Sequence, residues 1–523
     1  MSSERITPPA MNYDNILPLA IESRSNRREF RPTNGATFSN STGATHIRID
    51  VNADSMLDAL NSYLSVDITN EAVATNFLGL APFGPAFIQR LRIESGGVVI
   101  EDIDEYSRLY AMTSLCQCPQ DYLKNNYKNM GMYQSPDSDA FFTGNNGAIV
   151  SRANLDNHSQ VAGADPTNAR GSTISELQYP RTLQSILSGT TNAGAEVGNN
   201  AANIPTASAV FNHCKIASGQ SKTLNIPLMS GFLNMDKYIP LIMMNAGFTI
   251  DIEIVSTEKI GVTTTEASNG NAIVAADGVT AWRVDGVKYV AHLIDLDRSF
   301  YDRLRVVMED AGGVLQMAGQ TYRHYVGQMA TPIGPHTITL PARVKSVKSI
   351  FATFHRNSHY GVHAGGYSQS VFQNANMSSF RFEIGSVRYP QNDINCLVNA
   401  VLDGTLKSCH PEFLTELSKA FGKLGDYQHQ VAFNSKNLSN VQTAKTGLTS
   451  PLAVVDAYIL GYDFEAFNRV ALEAGINTAD RSLPINFICS RSTPTAQTTR
   501  ADFYVLTDAI YYINVDGTVS VSV

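Results

Sequence analysis

Cysteine, tryptophan and charge are all scarce in this chain of 523 residues. Its six cysteines, Cys116, Cys118, Cys214, Cys396, Cys409 and Cys489, follow no regular spacing. That excludes a disulfide-framed secreted scaffold and leaves reduced thiols from an intracellular site of synthesis as the expectation. Cys116 and Cys118 stand too close together for a usual zinc pair and have no second half, so no metal site is expected. Only 16% of the residues are charged, and 39 Lys plus Arg against 47 Asp plus Glu give a net charge of −8. A body with that balance has no field to gather a polyanion, which argues against specific nucleic-acid binding. Long apolar runs are missing too. The stretch Ile239–Met244 is broken by Pro240 and falls far short of the roughly 20 residues a spanning helix needs. The opening nine residues hold no apolar signal core, and Ser2 stands where a myristoylated chain needs glycine, so neither an export signal nor that anchor is expected.

Catalytic and cofactor motifs are absent in the same way. No G-x-G-x-x-G occurs, and the segment Gly79 to Gly84 runs into Pro85-Ala86 where a phosphate-binding loop needs Lys and Ser or Thr. Gly366-Tyr367-Ser368-Gln369-Ser370 lacks the second glycine of a nucleophile elbow. His355, His359 and His363 are spaced four apart, but Asn357, Gly361, Gly365 and Gly366 break any helix that would align them, so a solvated loop is expected. Glu101, Asp102, Asp104 and Glu105 precede Ile103, Tyr106, Leu109 and Tyr110 at helical spacing, and carboxylates suit the positive end of a helix dipole. The expectation is therefore neither an enzyme nor a cofactor protein. Asp295 and Asp297 fit a hinge between halves, and the sequons at Asn40, Asn157, Asn376 and Asn437 carry little meaning without an export signal.

What is abundant is the vocabulary of strands and turns: 22 Tyr, 23 Phe, 37 Gly and 21 Pro within a chain that is 43% hydrophobic. His46 to Val51 alternates apolar and polar residues, as do Ser62 to Ile68 and Phe87 to Ile93. From about 125 to 212 the sequence turns rich in Asn, Gly, Ser, Thr and Ala, an excursion of the kind that forms a functional surface feature. Strand character returns at Lys222–Leu228, Phe248–Ile254 and Val287–Ile294. The second half repeats the grammar with His336–Pro341, Val344–Phe354 and Phe380–Val387, then a helix signalled by Pro411, an apolar face of Phe413, Leu414, Leu417 and Phe421, and Gly422 as the stop. Asp502–Leu506 and Ile510–Val521 close the chain as strand, turn, strand.

Both halves run strands, helix, polar excursion, strands, a weak internal duplication. The expected fold is all-β, two consecutive eight-stranded antiparallel jelly-roll sandwiches with short helices and long surface loops. Residues 1–40 are expected to be an extended arm, 41–294 the first sandwich and 295–523 the second. Arg24, Arg27, Arg28 and Arg31, against Glu22 and Glu29, form the one basic concentration, and they are expected to grip acidic neighbours.

The runs Leu224–Leu228, Gly231–Leu233, Lys237–Leu241 and Ile250–Ile254, continued by Ile338–Lys348, Phe382–Ser386 with Tyr389-Pro390, and Asp516–Val519, resemble the double jelly-roll major capsid proteins of tailless icosahedral double-stranded DNA viruses. Those of polinton-like viruses and virophages are the most similar. The likeness spans most of residues 40 to 523, leaves out the excursion and the arm, and rests on joint order and spacing. It implies a homotrimer whose six jelly rolls make a pseudo-hexagonal capsomer, with long loops as outer towers and minor capsid and penton proteins as partners. It also implies a place in the virion shell after synthesis and assembly inside a host cell; in such a shell the contrast of Arg24, Arg27, Arg28 and Arg31 with the acidic body leads us to expect an arm linking capsomers. A carbohydrate-binding or carbohydrate-processing β-sandwich shares the composition, but a lone Trp282 and the lack of a carboxylate pair oppose it. A minor capsid or penton role fits a duplicated sandwich less well.

Overall fold

The computed structural model describes residues 22–39, 43–71, 76–80, 85–117, 142–143, 149–150, 215–216, 218–235, 237–255, 261–265, 281–310, 312–357, 372, 375, 377–396, 411–422, 458–466, 474–480, 483–491 and 498–523. The excursion at 125–212, apart from two strands of two residues, lies outside the described residues, as do the four sequons, His359, His363 and Gly366–Ser370.

Period-two alternation settles which face of each strand is buried. In the first half the strands that build the sandwich are β1 (Ser23–Phe30), β2 (His46–Val51), β3 (Met56–Asn70), β4 (Ile88–Ser95), β5 (Val98–Asp104), β6 (Ser221–Ile226), β7 (Phe248–Ile254) and β8 (Trp282–Leu296), beside shorter strands of two to five residues. One sheet has the order β1-β8-β3-β6 and the other β2-β7-β4-β5, all antiparallel. Along β7 the apolar residues Phe248, Ile250, Ile252 and Ile254 are buried while Thr249, Asp251 and Glu253 are half-exposed. They meet Ile47, Ile49 and Val51 of β2 and Leu91 and Ile93 of β4 in one core.

The second half contains β9 (Val314–Met329), β10 (Gly334–Leu340), β11 (Val347–Arg356), β12 (Met377–Ile384), β13 (Val387–Asn395), β14 (Ile459–Asp463), β15 (Ile485–Arg491) and β16 (Thr499–Asn514). Its sheets have the orders β9-β16-β11-β14 and β10-β15-β12-β13. Adding eight to each of these eight strands of the first half gives the second, so the duplication expected from organisation is a duplication of topology. The core here is aromatic: Phe354, Phe380, Phe382, Phe487 and Phe503 lie with ring centroids 5.2 to 6.5 Å apart in edge or tilted pairs. A last strand, β17 (Val519–Ser522), pairs with β16.

Helix α1 (Tyr106–Gln117) follows β5, and α3 (Pro411–Phe421) occupies the equivalent place after β13. Between the halves runs α2 (Arg298–Asp310). Asp297, expected at a hinge, caps that helix, its carboxylate accepting from the Ser299 hydroxyl at 2.5 Å and from the Ser299 N–H at 3.4 Å. Among the described residues no helix is long and apolar enough to cross a membrane.

Three expectations are corrected. Residues 23–30 are not part of an arm: β1 pairs with β8 in unbroken register from Ser23 with Leu296 to Phe30 with Tyr289. Truncation through residue 35 would therefore remove a strand of the first sandwich. Of the acidic group only Glu105 stands at the start of a helix, directly before α1; Glu101, Asp102 and Asp104 belong to β5, and α1 has no acidic residue in its first turn. His355 is not in a solvated loop but buried near the end of β11.

Candidate assembly interface

The two halves meet along a seam built chiefly by β5, the residues after it and the turn at 230–235 on one side, and by β9 and β16 on the other. Glu105 stands between β5 and α1 with a left-handed φ of 50°, and its carbonyl accepts from the N–H groups of Arg108 and Leu109. That sharp change of direction brings strand end and helix start together, so Asp104, Glu105 and Arg108 present three charges within five residues.

Opposite them lie His324 on β9 and Arg500, Asp502 and Tyr504 on β16. Arg108 pairs with Asp502, and both side chains are essentially fully buried at 1% and 0% exposure. Arg500 Nη2 lies 2.8 Å from Asp502 Oδ1 and 3.3 Å from Glu105 Oε1. The Tyr504 hydroxyl donates to the Glu105 carbonyl at 3.2 Å. His324 spans the seam: Nε2 is 3.0 Å from Asp502 Oδ1 and Nδ1 is 3.7 Å from Asp104 Oδ2. A neutral imidazole has one N–H and one lone pair, so only the imidazolium turns a donor toward both carboxylates. It also balances the cluster, adding a third positive charge to Arg108 and Arg500 against Asp104, Glu105 and Asp502.

The ionisation behaviour follows this geometry. Burial opposes the charged forms of Asp502 and His324, but Arg108, His324 and Arg500 hold the Asp502 carboxyl well below its usual range. Asp104 and Asp502 raise the His324 imidazole above its ordinary value despite its burial. Partial burial works to raise Asp104 as well, and His324 overcomes it, holding that carboxyl at about 2.

Lower on the seam, Glu101 is completely buried yet accepts from four donors: the Ser230 hydroxyl, the Gly231 N–H at 2.9 Å, the Phe232 N–H at 3.5 Å and the Thr321 hydroxyl of β9 at 2.5 Å. Burial still pushes this carboxyl up. Phe232 packs edge-on against Tyr511 with centroids 5.3 Å apart. Asn245 ties the first half to the turn after β16, its N–H donating to the Gly517 carbonyl at 3.1 Å and its side-chain amide to the Asp516 carbonyl at 2.5 Å.

At Gly231 the backbones of the two halves come close together. A Cβ there would sit 1.9 Å from the Gln320 carbonyl oxygen, where no side-chain adjustment relieves the clash. Gly231→Ala is therefore expected to separate the two sandwiches locally and lower the melting temperature by several degrees. Calorimetry checks this, and a melting curve superimposable on the parent's would mean that the seam gives way without cost.

No family model and no curated protein matches the sequence. Solved structures do match. A crystal structure of PBCV-1 VP54, fitted into a cryo-EM reconstruction of the virophage Sputnik, superposes with a TM-score of 0.51 at 10% identity, covering 98% of this chain and 99% of that one. A quasi-atomic model of the PBCV-1 virus capsid superposes at 0.50 and 10% identity, covering 98% and 99%. The chain is a double jelly roll.

In this double jelly roll the arginines singled out in the sequence lie along one edge strand. Arg24, Arg27 and Arg28 lie on β1 and Arg31 just after it, all exposed. Arg27 sits 3.4 Å from Glu29, which also takes Lys288 of β8 at 3.0 Å, and the Arg28 guanidinium lies 5.0 Å from the Phe30 ring centroid. Sequence reasoning missed His324, Arg500 and Asp502 as interface residues. Their only local signal is charge placed inside strands. Among the described residues no group of three or more His, Cys, Asp or Glu side chains is placed to hold a metal ion.

Proposed function

We propose that this chain is a major capsid protein that assembles as a homotrimer, six jelly rolls forming one pseudo-hexagonal unit of an icosahedral virion shell. The observation that carries this reading is the double jelly-roll fold itself, shared over nearly the whole chain with a PBCV-1 capsid structure. Two linked copies of one sandwich, joined side by side through unlike faces, are the repeat a closed ring requires.

The polarity of the fold supports the same reading. The connections β3–β4, β5–β6 and β7–β8, and their counterparts β11–β12, β13–β14 and β15–β16, all leave from one end of the double roll. The Asn/Gly/Ser/Thr-rich excursion belongs to β5–β6, so we assign that end to the outside of the shell. The opposite end exposes Val98, Tyr238, Val306, Val307, Val387 and Val515. With the excursion outside, that end would face the interior of the shell, where we place contacts with minor capsid proteins.

Native mass spectrometry of the purified chain is expected to show a species at three times 56.8 kDa. A well-folded preparation that stays monomeric at micromolar concentration would sink the reading.

A further inference from the structure

Lys348 is the only buried lysine among the described residues. It stands at the bulge where β11 shifts register against β16, between Val347 opposite Thr507 and Ser349 opposite Leu506. Its Nζ lies 2.7 Å from Glu465 Oε1, just past the end of β14, and 3.2 Å from Asp508 Oδ1 on β16. The three side chains are 5%, 6% and 3% exposed, so the group is shut off from water. Phe464 N–H donates to the Lys348 carbonyl at 2.7 Å, which fixes Glu465 beside the lysine. The second oxygen of Asp508 is held separately. The Ser346 hydroxyl donates to Oδ2 at 2.7 Å, and the Gly475 N–H donates to Ser346 Oγ at 3.1 Å. Ile476 pairs with Val347 over the same place. The shared topology does not call for this cluster, since the equivalent strands of the first roll, β3 and β8, bury no lysine.

We propose that Lys348 and Asp508 join in an intramolecular isopeptide bond, closed by the folded chain itself with Glu465 as the proton carrier. Both carboxylates touch the same nitrogen, so Glu465 can carry one proton from the Lys348 ammonium to Asp508 Oδ1, leaving a neutral amine beside a neutral acid. The amine lone pair attacks Cγ and the C–N bond forms. Negative charge gathers on Oδ2, where the Ser346 hydroxyl already donates. Glu465 then carries a second proton from the nitrogen to Oδ1, the Cγ–Oδ1 bond breaks, and that oxygen leaves as water. One ammonium and one carboxylate are consumed, one amide and one water are produced, and Glu465 ends as it began. Two effects favour closure. Groups held in contact react as if at an effective concentration of about 10⁵–10⁸ M, and the amide removes two charges whose burial is costly. The bond ties together β16 and β11, the two inner strands of their sheet. It goes beyond the trimeric reading and does not depend on it.

Mass spectrometry of the full-length chain, kept folded overnight and then denatured, reads the bond directly. The expected mass is one water below that of the sequence, and digestion should release a fragment in which the peptides carrying Lys348 and Asp508 are joined. A folded chain at its full sequence mass would overturn the proposal and leave a buried ion cluster. Lys348→Arg keeps the charge and should show its own full sequence mass; a water still missing from it would place the loss elsewhere and overturn the assignment. Asp508→Asn should close the same bond with loss of ammonia in place of water. Glu465→Gln keeps both reacting groups and should stay unbridged, whereas a complete bridge in that variant would remove Glu465 as the proton carrier. The joined fragment of the parent chain decides the bond even where a variant fails to fold: its presence supports the proposal and its absence overturns it.

Discussion

Replacing Arg108 with alanine is expected to destabilise the protein by about 3–5 kcal/mol, the usual cost of breaking a buried ion pair by removing one partner. Asp502 would be left with 0% exposure, keeping Arg500 and His324 but losing the guanidinium that does most to hold it ionised. Asp502→Asn should cost a similar amount from the other side, leaving Arg108 buried without its carboxylate. Replacing both by an apolar pair of similar volume should recover much of the loss, because the desolvation of two charges is then avoided. Urea unfolding of the four proteins measures these differences. Single variants within about 0.5 kcal/mol of the parent would show that the pair contributes nothing to holding the rolls together.

The second large effect is a dependence of stability on pH set by His324. Its folded pKa is raised, so its contribution is fully present below the unfolded value of about 6.5 and is lost as pH rises through the folded one. Asp104 and Asp502 behave in the opposite sense. Their folded pKa values are depressed, so their contribution is present above about 4 and is lost as pH falls, through about 2 in the case of Asp104. Glu101 opposes the carboxylate trend, since its raised pKa means that ionisation in the unfolded chain subtracts stability as pH rises past about 4.3. The seam should be firmest between about pH 4.5 and 6.5 and weaken on both sides. Urea midpoints from pH 3 to 9 should trace that dome, and His324→Gln should flatten its alkaline limb. An alkaline limb of the same slope in the variant would assign the loss to another group.

The strands buried on one face were readable in the sequence because burial imposes their alternation. Phe248–Ile254 coincides with β7, and Pro411, the apolar face and Gly422 placed α3 to within a residue. Strand β1 was not readable: with seven of eight residues in solvent, Ser23–Phe30 has no alternation to show and looks like a polar tail. Strand β9 was missed for the converse reason. Its burial comes from both its own sandwich and the seam, which scrambles the period of two in Val314–Met329. The acidic residues Glu101, Asp104 and Glu105 have local neighbours that suit a helix start, while the partners that explain them, Thr321, His324 and Arg500, lie more than 200 residues away. Only the folded chain brings those groups together.

For the ring proposed above, the tether through α2 would alter how it is built. Six separate rolls would have to give up the free motion of six bodies, and each bimolecular joint costs about 4–15 kcal/mol of translational and rotational freedom at the 1 M standard state. Joined in pairs by Arg298–Asp310, the rolls are only three bodies, and each seam forms at the effective concentration of a short linker, on the order of millimolar or higher. On the proposed trimeric reading, a dilute pool of newly made subunits would therefore meet a lower concentration threshold for ring closure than single-roll subunits with equally strong faces, because every chain would arrive with one of the ring's six joints already closed.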